Sequence, residues 1–327
     1  MLEEPELFFD SQVAGNTLIL DEVHQLRNPS QLLKIAADEY PQLKILATGS
    51  STLAATRKFR DSLTGRKQAI HLCPILWDEC VDPFGIHDLD HRLLHGGLPE
   101  PLLTTHKDPE FFSEWIDSFY ARDILELFGI RNRQGFLALF RLLLRQSGGQ
   151  LDYSQLANLS ELSRPTVKTH IEAMQIAHAV HLLRPFHGGG KREIVSRPKC
   201  YAFDTGFVSF EKGWNSIRND DRGLLWEHLV LDTLRFHFRD ETIFYWQDKS
   251  HREIDFVIRG ERDQVDIVEC KINPDKLNVA PVVAFRKLYP KGETMIVSPM
   301  VKKPYKVRRS ELVFNLCNTR DISKSVG

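Results

Sequence analysis

The stretch TLILDEVHQL, Thr17 to Leu26, decides how the amino-terminal part of the chain is read. Thr17–Leu20 is a short, continuous apolar run, which predicts a strand covered on both faces in a parallel sheet. Two adjacent acids, Asp21 and Glu22, follow at its carboxyl end. Asn28-Pro29 then marks a helix start, an N-cap side chain followed by proline at the first helical position. Leu32, Leu33, Ile35 and Ala36 give that helix an apolar face, and EYPQ stops it. LKILATGSS from Leu43 predicts a second buried strand that ends in small polar residues. Strand, helix and strand at this spacing predict a right-handed βαβ crossover. Ligands of open α/β sheets sit at the carboxyl ends of strands. Asp21 and Glu22 fall at one such end, Thr48 and Ser50 at the next.

Composition bounds the rest. A chain of 327 residues has room for two or three domains, at roughly 100–200 residues each. Hydrophobic residues at 42% and charged residues at 27% describe an ordinary globular protein. The formal net charge of -1 gives no global basic footprint, so any nucleic-acid surface must be local. Five cysteines without a C-x-x-C pair argue for a reducing compartment and against a zinc ribbon or disulfide framework. MLEEPELFF is acidic at its start, and no long uncharged apolar run follows, so neither a secretory signal nor a membrane span is expected. The expected location is the cytoplasm.

LILDEVHQL, ILATGSS, DSLTGRKQAIHLCPI and GGLPEPL, continuing into WIDSFYARDI, together resemble the bacterial and archaeal AAA-type ATPases that carry a carboxy-terminal domain of unknown function. The resemblance covers nearly the whole chain. It implies a P-loop nucleoside-triphosphatase sheet, with ATP and Mg²⁺ as cofactors. Asp21 would be the Mg²⁺-side acid and Glu22 the water-activating acid. Thr48 or Ser50 would be the polar sensor near the γ-phosphate, and Arg66 in TGR a charge-stabilising arginine.

One element of that chemistry has no counterpart in the sequence. A phosphate loop needs G-x-x-x-x-G-K-[ST], because glycine backbones bring N–H groups to the phosphates and the lysine reaches the β/γ oxygens. The sixteen residues before Thr17 hold nothing like it. In PFHGGGKRE, Gly190-Lys191 is followed by Arg192, and Pro185 stands where the earlier glycine is required. Micromolar ATP binding amounts to about 8 kcal/mol. The loop would supply several charge-assisted hydrogen bonds worth roughly 1.5–3 kcal/mol each, which one carboxylate cannot replace. The expectation is a truncated chain without its first strand, phosphate loop and first helix, through an internal start or a decayed gene, and inactive toward ATP.

From Gln155, QLANLSELSRPTVKTHIEAMQIAHAVHLLRPF predicts two helices around a short turn, the second capped by Ser163 and beginning near Pro165. Val167, Ile171, Met174 and His178 recur at helical spacing and are assigned to the core. HLLRPFHGGGKREIV and PKCYAFD read as a strand pair with a glycine-rich basic tip. This is the winged-helix layout, in which the second helix can enter a major groove and the wing meets phosphates. Arg164, Lys168, Lys191 and Arg192 are the candidate nucleic-acid contacts; packing against the ATPase domain or a protein partner is the competing reading.

GLLWEHLVLDTLRFHF predicts a helix with Leu224, Val230, Leu231, Leu234 and Phe238 on one stripe and Glu227 at its centre. An acid there is costly unless it is paired or binds a cation. EIDFVIRGERDQVDIVECK reads as two strands joined at Gly260. Alternation sets Asp255 opposite Ile254, Phe256 and Ile258, and gives Glu269 and Lys271 a shared face. A helix acid, a strand acid and E-x-K in this order form the constellation of the PD-(D/E)XK nucleases. Glu227, Asp255 and Glu269 are the candidate ligands for Mg²⁺ or Mn²⁺. Lys271 would orient the attacking water or offset transition-state charge. The competing reading pairs Lys271 with an acid in a salt bridge and leaves a fold that holds DNA or serves structure. MVKKPYKVRRSE adds Lys302, Lys303, Lys306, Arg308 and Arg309 as a basic run.

The fold expected is therefore α/β: a truncated AAA-type parallel sheet over 1–83, a helical lid or connector over 84–147, a winged helix over 148–212, and a mixed α/β PD-(D/E)XK nuclease-like domain over 213–327. The function expected is that of an AAA-superfamily ATP-binding protein. The alternatives are a metal-dependent nuclease or nuclease-like DNA-binding protein, and a non-catalytic winged-helix module. DNA, a protein partner or further copies of the chain are the partners these readings imply.

Overall fold

A computed structural model describes residues 5–12, 15–23, 26, 28–49, 68, 72–125, 128–188, 197–261 and 264–322. The chain divides into two compact units, one of residues 1–72, 116–133 and 169–179, the other of residues 73–115, 134–168 and 180–327.

In the first unit, α1 (Pro5–Asp10) precedes β1 (Thr17–Leu20), and α2 (Pro29–Glu39) leads to β2 (Lys44–Ala47). The two strands pair in parallel, Thr17 with Lys44 through Leu20 with Ala47. Pro29 occupies the first turn of α2, but Asn28 makes no side-chain cap there. The proline, with φ already fixed near the helical value, sets this helix start. Phe9, Leu32, Ala36 and Leu43 pack with Leu18, Leu20 and Ile45 on one face of the strand pair. The opposite face carries Ile19 at 67% exposure and Leu46 at 49%. The expectation of strands covered on both faces is thus corrected: the apolar run alternates between packed and open positions.

The second unit is organised by a nine-stranded mixed sheet in the order β10-β11-β9-β8-β7-β6-β4-β5-β3. Ahead of it come α3 (Trp77–Val81), α4 (Leu89–His95) and α5 (Pro99–Leu103). α6 (Pro109–Phe119), whose residues from 116 onward belong to the first unit, and α7 (Arg133–Arg145) follow, and α7 buries Phe136, Leu139, Phe140 and Leu143 along one stripe. β3 (Gly149–Gln150) leads into α8 (Tyr153–Leu159), whose first turn is capped by Asp152 accepting from the N–H groups of Ser154 and Gln155. α9 (Arg164–Ile176), whose residues from 169 onward belong to the first unit, begins where the Ser163 hydroxyl accepts from the Thr166 N–H at 3.2 Å. Val167, Ile171 and Met174 of α9 are buried. His178 lies past the helix end with φ of +54°, in the turn into the next strand, instead of extending the core stripe.

β4 (Val180–Pro185) and β5 (Lys199–Ala202) form an antiparallel hairpin, and β3 adds to its outer edge. α10 (Thr205–Glu211) and α11 (Asn219–His237) follow, then β6 (Ile243–Gln247), β7 (Glu253–Arg259) and β8 (Val265–Cys270) as an antiparallel run. α12 (Val279–Leu288) connects β8 to its parallel neighbour β9 (Thr294–Val297), and β10 (Tyr305–Arg309) with β11 (Leu312–Cys317) closes the far edge. The sheet crosses the expected 212/213 junction without a break, because β4 pairs in parallel with β6 at Arg184–Phe244 and Pro185–Tyr245. Pro185 has no N–H to give to that seam; the next N–H, of Phe186, donates to the Tyr245 carbonyl at 2.6 Å. Trp246, Ile254, Val257, Ile267, Phe285, Ile296 and Phe314 form the core on one side of this sheet. Leu225 through Leu234 of α11 are buried apart from the partly exposed Glu227, so this helix is enclosed nearly all round and not along the single stripe expected.

Candidate functional site

Two groups of polar side chains stand at strand ends, one in each unit. In the first unit, the Thr48 hydroxyl donates to Oδ1 of Asp21, and the N–H of Glu22 donates to Thr48 Oγ1 at 3.2 Å. The backbone continues the ladder, Thr48 N–H to Leu20 at 2.9 Å and Val23 N–H to Thr48 at 2.9 Å. Glu22 has φ of +50°, a left-handed conformation that costs a non-glycine residue about 1–2 kcal/mol. Asp21 and Glu22 are exposed. Three of the expected residues therefore meet at the carboxyl ends of adjacent parallel strands. Ser50 and Arg66 lie outside the described residues. An exposed carboxylate beside a hydroxyl suits Mg²⁺, which prefers oxygen ligands and retains waters.

In the second unit, β5, α11, β7 and β8 bring four acids, two lysines and a tyrosine together. Lys199 of β5 puts Nζ 3.4 Å from Glu227 of α11 and 2.5 Å from Glu253 of β7. Its neighbour on the same strand face, Tyr201, donates its hydroxyl to Oε1 of Glu227. Lys271, one residue beyond β8, puts Nζ 2.9 Å from Glu269 and 3.3 Å from Asp255. Asp255 Oδ2 also accepts from the Cys270 N–H at 2.7 Å. Glu253 receives Gln247 at 3.0 Å, and Gln247 in turn receives Gln150 of β3 at 2.8 Å.

Burial, with a smaller contribution from Asp255, pushes Glu227 up to about 7 against the pull of Lys199. Burial and the Asp255 charge push Glu269 up to about 8 against Lys271. Burial alone would lower both lysines; Glu227 and Glu253 reverse this for Lys199, and Asp255 and Glu269 for Lys271, so both are raised. Oε1 of Glu269 is buried without a hydrogen-bond partner among the described residues.

This departs from the metal set expected from the sequence. Glu227, Asp255 and Glu269 share one electrostatic neighbourhood, but each is committed to a lysine. Among the described residues no three His, Cys, Asp or Glu side chains form a group that could hold a metal ion. Lys271 is salt-bridged to both Asp255 and Glu269. Lys199, Tyr201 and Glu253 were missed. Glu253 was within reach, since it precedes Asp255 by two residues and alternation puts both on one face. Lys199 was not, because its meeting with Glu227 depends on a strand pairing distant in sequence.

On α9, Arg164 and Lys168 are exposed, and Lys168 Nζ stands 5.7 Å from the Tyr153 ring centroid. Lys191 and Arg192 lie outside the described residues. No helix among the described residues is long and apolar enough to cross a membrane.

Residues 2–81 match the family described as AAA domain. Residues 86–217 match a domain of unknown function, DUF8612, and residues 222–317 match another, DUF4143. The uncharacterized protein MJ1544 of Methanocaldococcus jannaschii is 25% identical over 280 residues, which cover 78% of this chain and 61% of that protein. The uncharacterized protein Rv2008c of Mycobacterium tuberculosis is 26% identical over 252 residues, 74% of this chain and 55% of that protein. The chain thus spans little more than half the length of these relatives. Among solved structures, a half-complex of Thermococcus gammatolerans McrB AAA+ hexamers with bound McrC is similar at 11% identity and a TM-score of 0.27, covering 84% of this chain and 74% of that one.

Proposed function

We propose that this chain is part of an AAA-type ATPase and contributes the acid-bearing half of its nucleotide site. The AAA-domain match over residues 2–81 supports this reading. The observation that carries it is the contact of Asp21 with Thr48 at the ends of two parallel strands. Asp21 would hold Mg²⁺, Glu22 would activate water, and Thr48 would sense the γ-phosphate. ATP–Mg²⁺, when bound, supplies the phosphoryl group and the cation that offsets its charge. The 327 residues contain no G-x-x-x-x-G-K-[ST] to cradle the phosphates. The chain by itself is therefore expected to show no saturable micromolar ATP–Mg²⁺ binding and no turnover in a calorimetric titration. Saturable binding abolished by Asp21→Ala would overturn the assignment of a half-site.

A second reading concerns the carboxy-terminal half: a winged helix joined to a PD-(D/E)XK nuclease-like fold that holds DNA instead of cutting it. It is favoured by the pairing of Lys199 with Glu227 and Glu253, and of Lys271 with Asp255 and Glu269. These ion pairs commit the acids that metal-dependent cleavage would need.

A further inference from the structure

The basic run of residues 302–309 falls, through the sheet register, at the end of the sheet that carries the acid–lysine cluster. Tyr305 of β10 pairs with Leu316, Leu316 with Ile296, and Ile296 with Glu269 of β8, so Tyr305 and Glu269 lie in one row. β8, β9 and β11 are parallel and β10 is antiparallel to β11. Residues 302 and 303, before Tyr305, therefore lie at the same sheet end as Lys271, two residues past Glu269. Three strand steps at about 4.8 Å each separate the two ends of this row by roughly 14 Å. That is about four nucleotides of a stacked strand at a rise near 3.4 Å.

The chemistry of this edge is one-sided. Lys302, Lys303, Lys306 and Arg308 are all exposed. Among the described residues Arg309 alone of the five has an ion pair, with Asp275 at 3.6 Å. Val307 turns inward to the core, which leaves Lys306 and Arg308 on the other face of β10. Lys271 keeps 27% of its side-chain exposure and is within reach from solvent. The acids at this end of the sheet are Asp275, which pairs with Arg309, and Asp255 and Glu269, which both pair with Lys271; Glu311 and Glu293 stand at the opposite end. A single lysine is a sufficient guard against edge-to-edge pairing; four unpaired cations in seven residues exceed that need and match a polyanion with regular charge spacing.

We propose that Lys302, Lys303, Lys306 and Arg308, with Lys271 at the inner end, form a track for the phosphate backbone of a nucleic-acid strand laid across the carboxyl ends of β8 and β9. The inference rests on the DNA-holding reading of the carboxy-terminal half and names the surface that does the holding. The contacts are to phosphate, so the track positions a strand and reads no sequence.

The test is fluorescence anisotropy of the full chain with short single-stranded and duplex oligonucleotides, in EDTA, across about 50–200 mM salt. Wild type is expected to bind both, with log K falling linearly against log salt. Lys302→Gln/Lys303→Gln is expected to flatten that slope by about 1.4 on single strands and about 1.8 on duplex, two phosphate contacts' worth, and to weaken binding about tenfold at the lowest salt. Lys306→Gln/Arg308→Gln should do the same, while poly-glutamate should bind wild type far more weakly than DNA. Unchanged slopes in both double variants would overturn the track and leave the DNA-holding reading standing. No salt-dependent binding by wild type would overturn that reading and the track with it. Equally tight, variant-sensitive binding of poly-glutamate would assign the surface to an acidic protein instead. Self-association of the variants with DNA affinity intact would reduce the run to edge protection and overturn the proposal.

Discussion

Glu269 shows how much a single carboxyl can be asked to do. Its Oε2 meets Lys271 at 2.9 Å while Oε1 is buried with no hydrogen-bond partner among the described residues. Burial, and then the Asp255 charge, raise it from an ordinary 4.5 to about 8, and burial raises Glu227 to about 7. Each unit of such a shift is worth on the order of 1.4 kcal/mol between the protonation states. The sign follows from proton counting: the folded state holds protons that the unfolded state releases above its ordinary carboxyl range. The stabilisation is complete below about pH 4.5 and is lost as pH rises through about 7 to 8. Urea unfolding is therefore expected to give a lower midpoint at pH 9 than at pH 6, and Glu269→Gln should flatten that profile. A profile of equal steepness in the variant would show that Glu269 is not the group titrating. At this scale the sequence was readable wherever period-two alternation applied, as for Asp255, Glu269 and Lys271. It was silent on Lys199 and Tyr201, whose role requires strand β5 to lie beside β7's acids.

Among the elements, β1 and α11 mark the two ways a hydrophobic pattern misleads. The unbroken apolar run of β1 suggested burial on both faces, yet Ile19 and Leu46 lie open on one. A two-stranded pair with one packed face has little independent stability. Amides of β1 and β2 are accordingly expected to exchange much faster than those of β7 and β8, which hydrogen-bond neighbours on both sides. Equal protection by hydrogen exchange would show that the strand pair is as firmly held as the large sheet. In α11 the error ran the other way. One stripe and a central acid were expected, but Trp226, Leu229, Val230, Leu231 and Leu234 are all buried, and the Trp226 indole donates to the Val297 carbonyl at 3.0 Å. Polar residues such as His228, Asp232 and Thr233 are buried with them, and a polar letter in the sequence does not announce its own burial. The helix starts at Pro29 and Arg164 were legible because proline and serine act locally.

For the molecule as a whole, the sequence divides the carboxy-terminal half into a helix-turn-helix with a wing and a separate α/β domain, whereas the sheet joins them. Pairing of β4 with β6 is parallel and long-range, and no local signal specifies a partner sixty residues away. The junction is reinforced by side chains: Lys199 to Glu227 and Glu253, Tyr201 to Glu227, and the Tyr245 hydroxyl to the Arg197 carbonyl. Breaking one member of such a buried ion cluster costs about 3–5 kcal/mol, so the two parts are expected to unfold together. Native-state exchange should give amides of β5 and β8 the same opening free energy and the same dependence on denaturant. Distinct values, with β5 opening first, would show that the β4–β5 hairpin and the large sheet are independent folding units.

The β4–β6 seam has a mechanical side. It holds the two parts of a nine-stranded sheet by residue pairs at Arg184–Phe244 and Pro185–Tyr245, and the proline withholds a donor. β7 and β8, by contrast, are in register from Phe256–Val268 to Arg259–Val265. Tension applied across the strands would concentrate on this short run of rungs, so a tether pulling the β4–β5 hairpin away from the large sheet should unzip the backbone there first. The lysine and tyrosine behind the seam would then act as a tether of their own, holding the halves in register and letting them rejoin when the load is released.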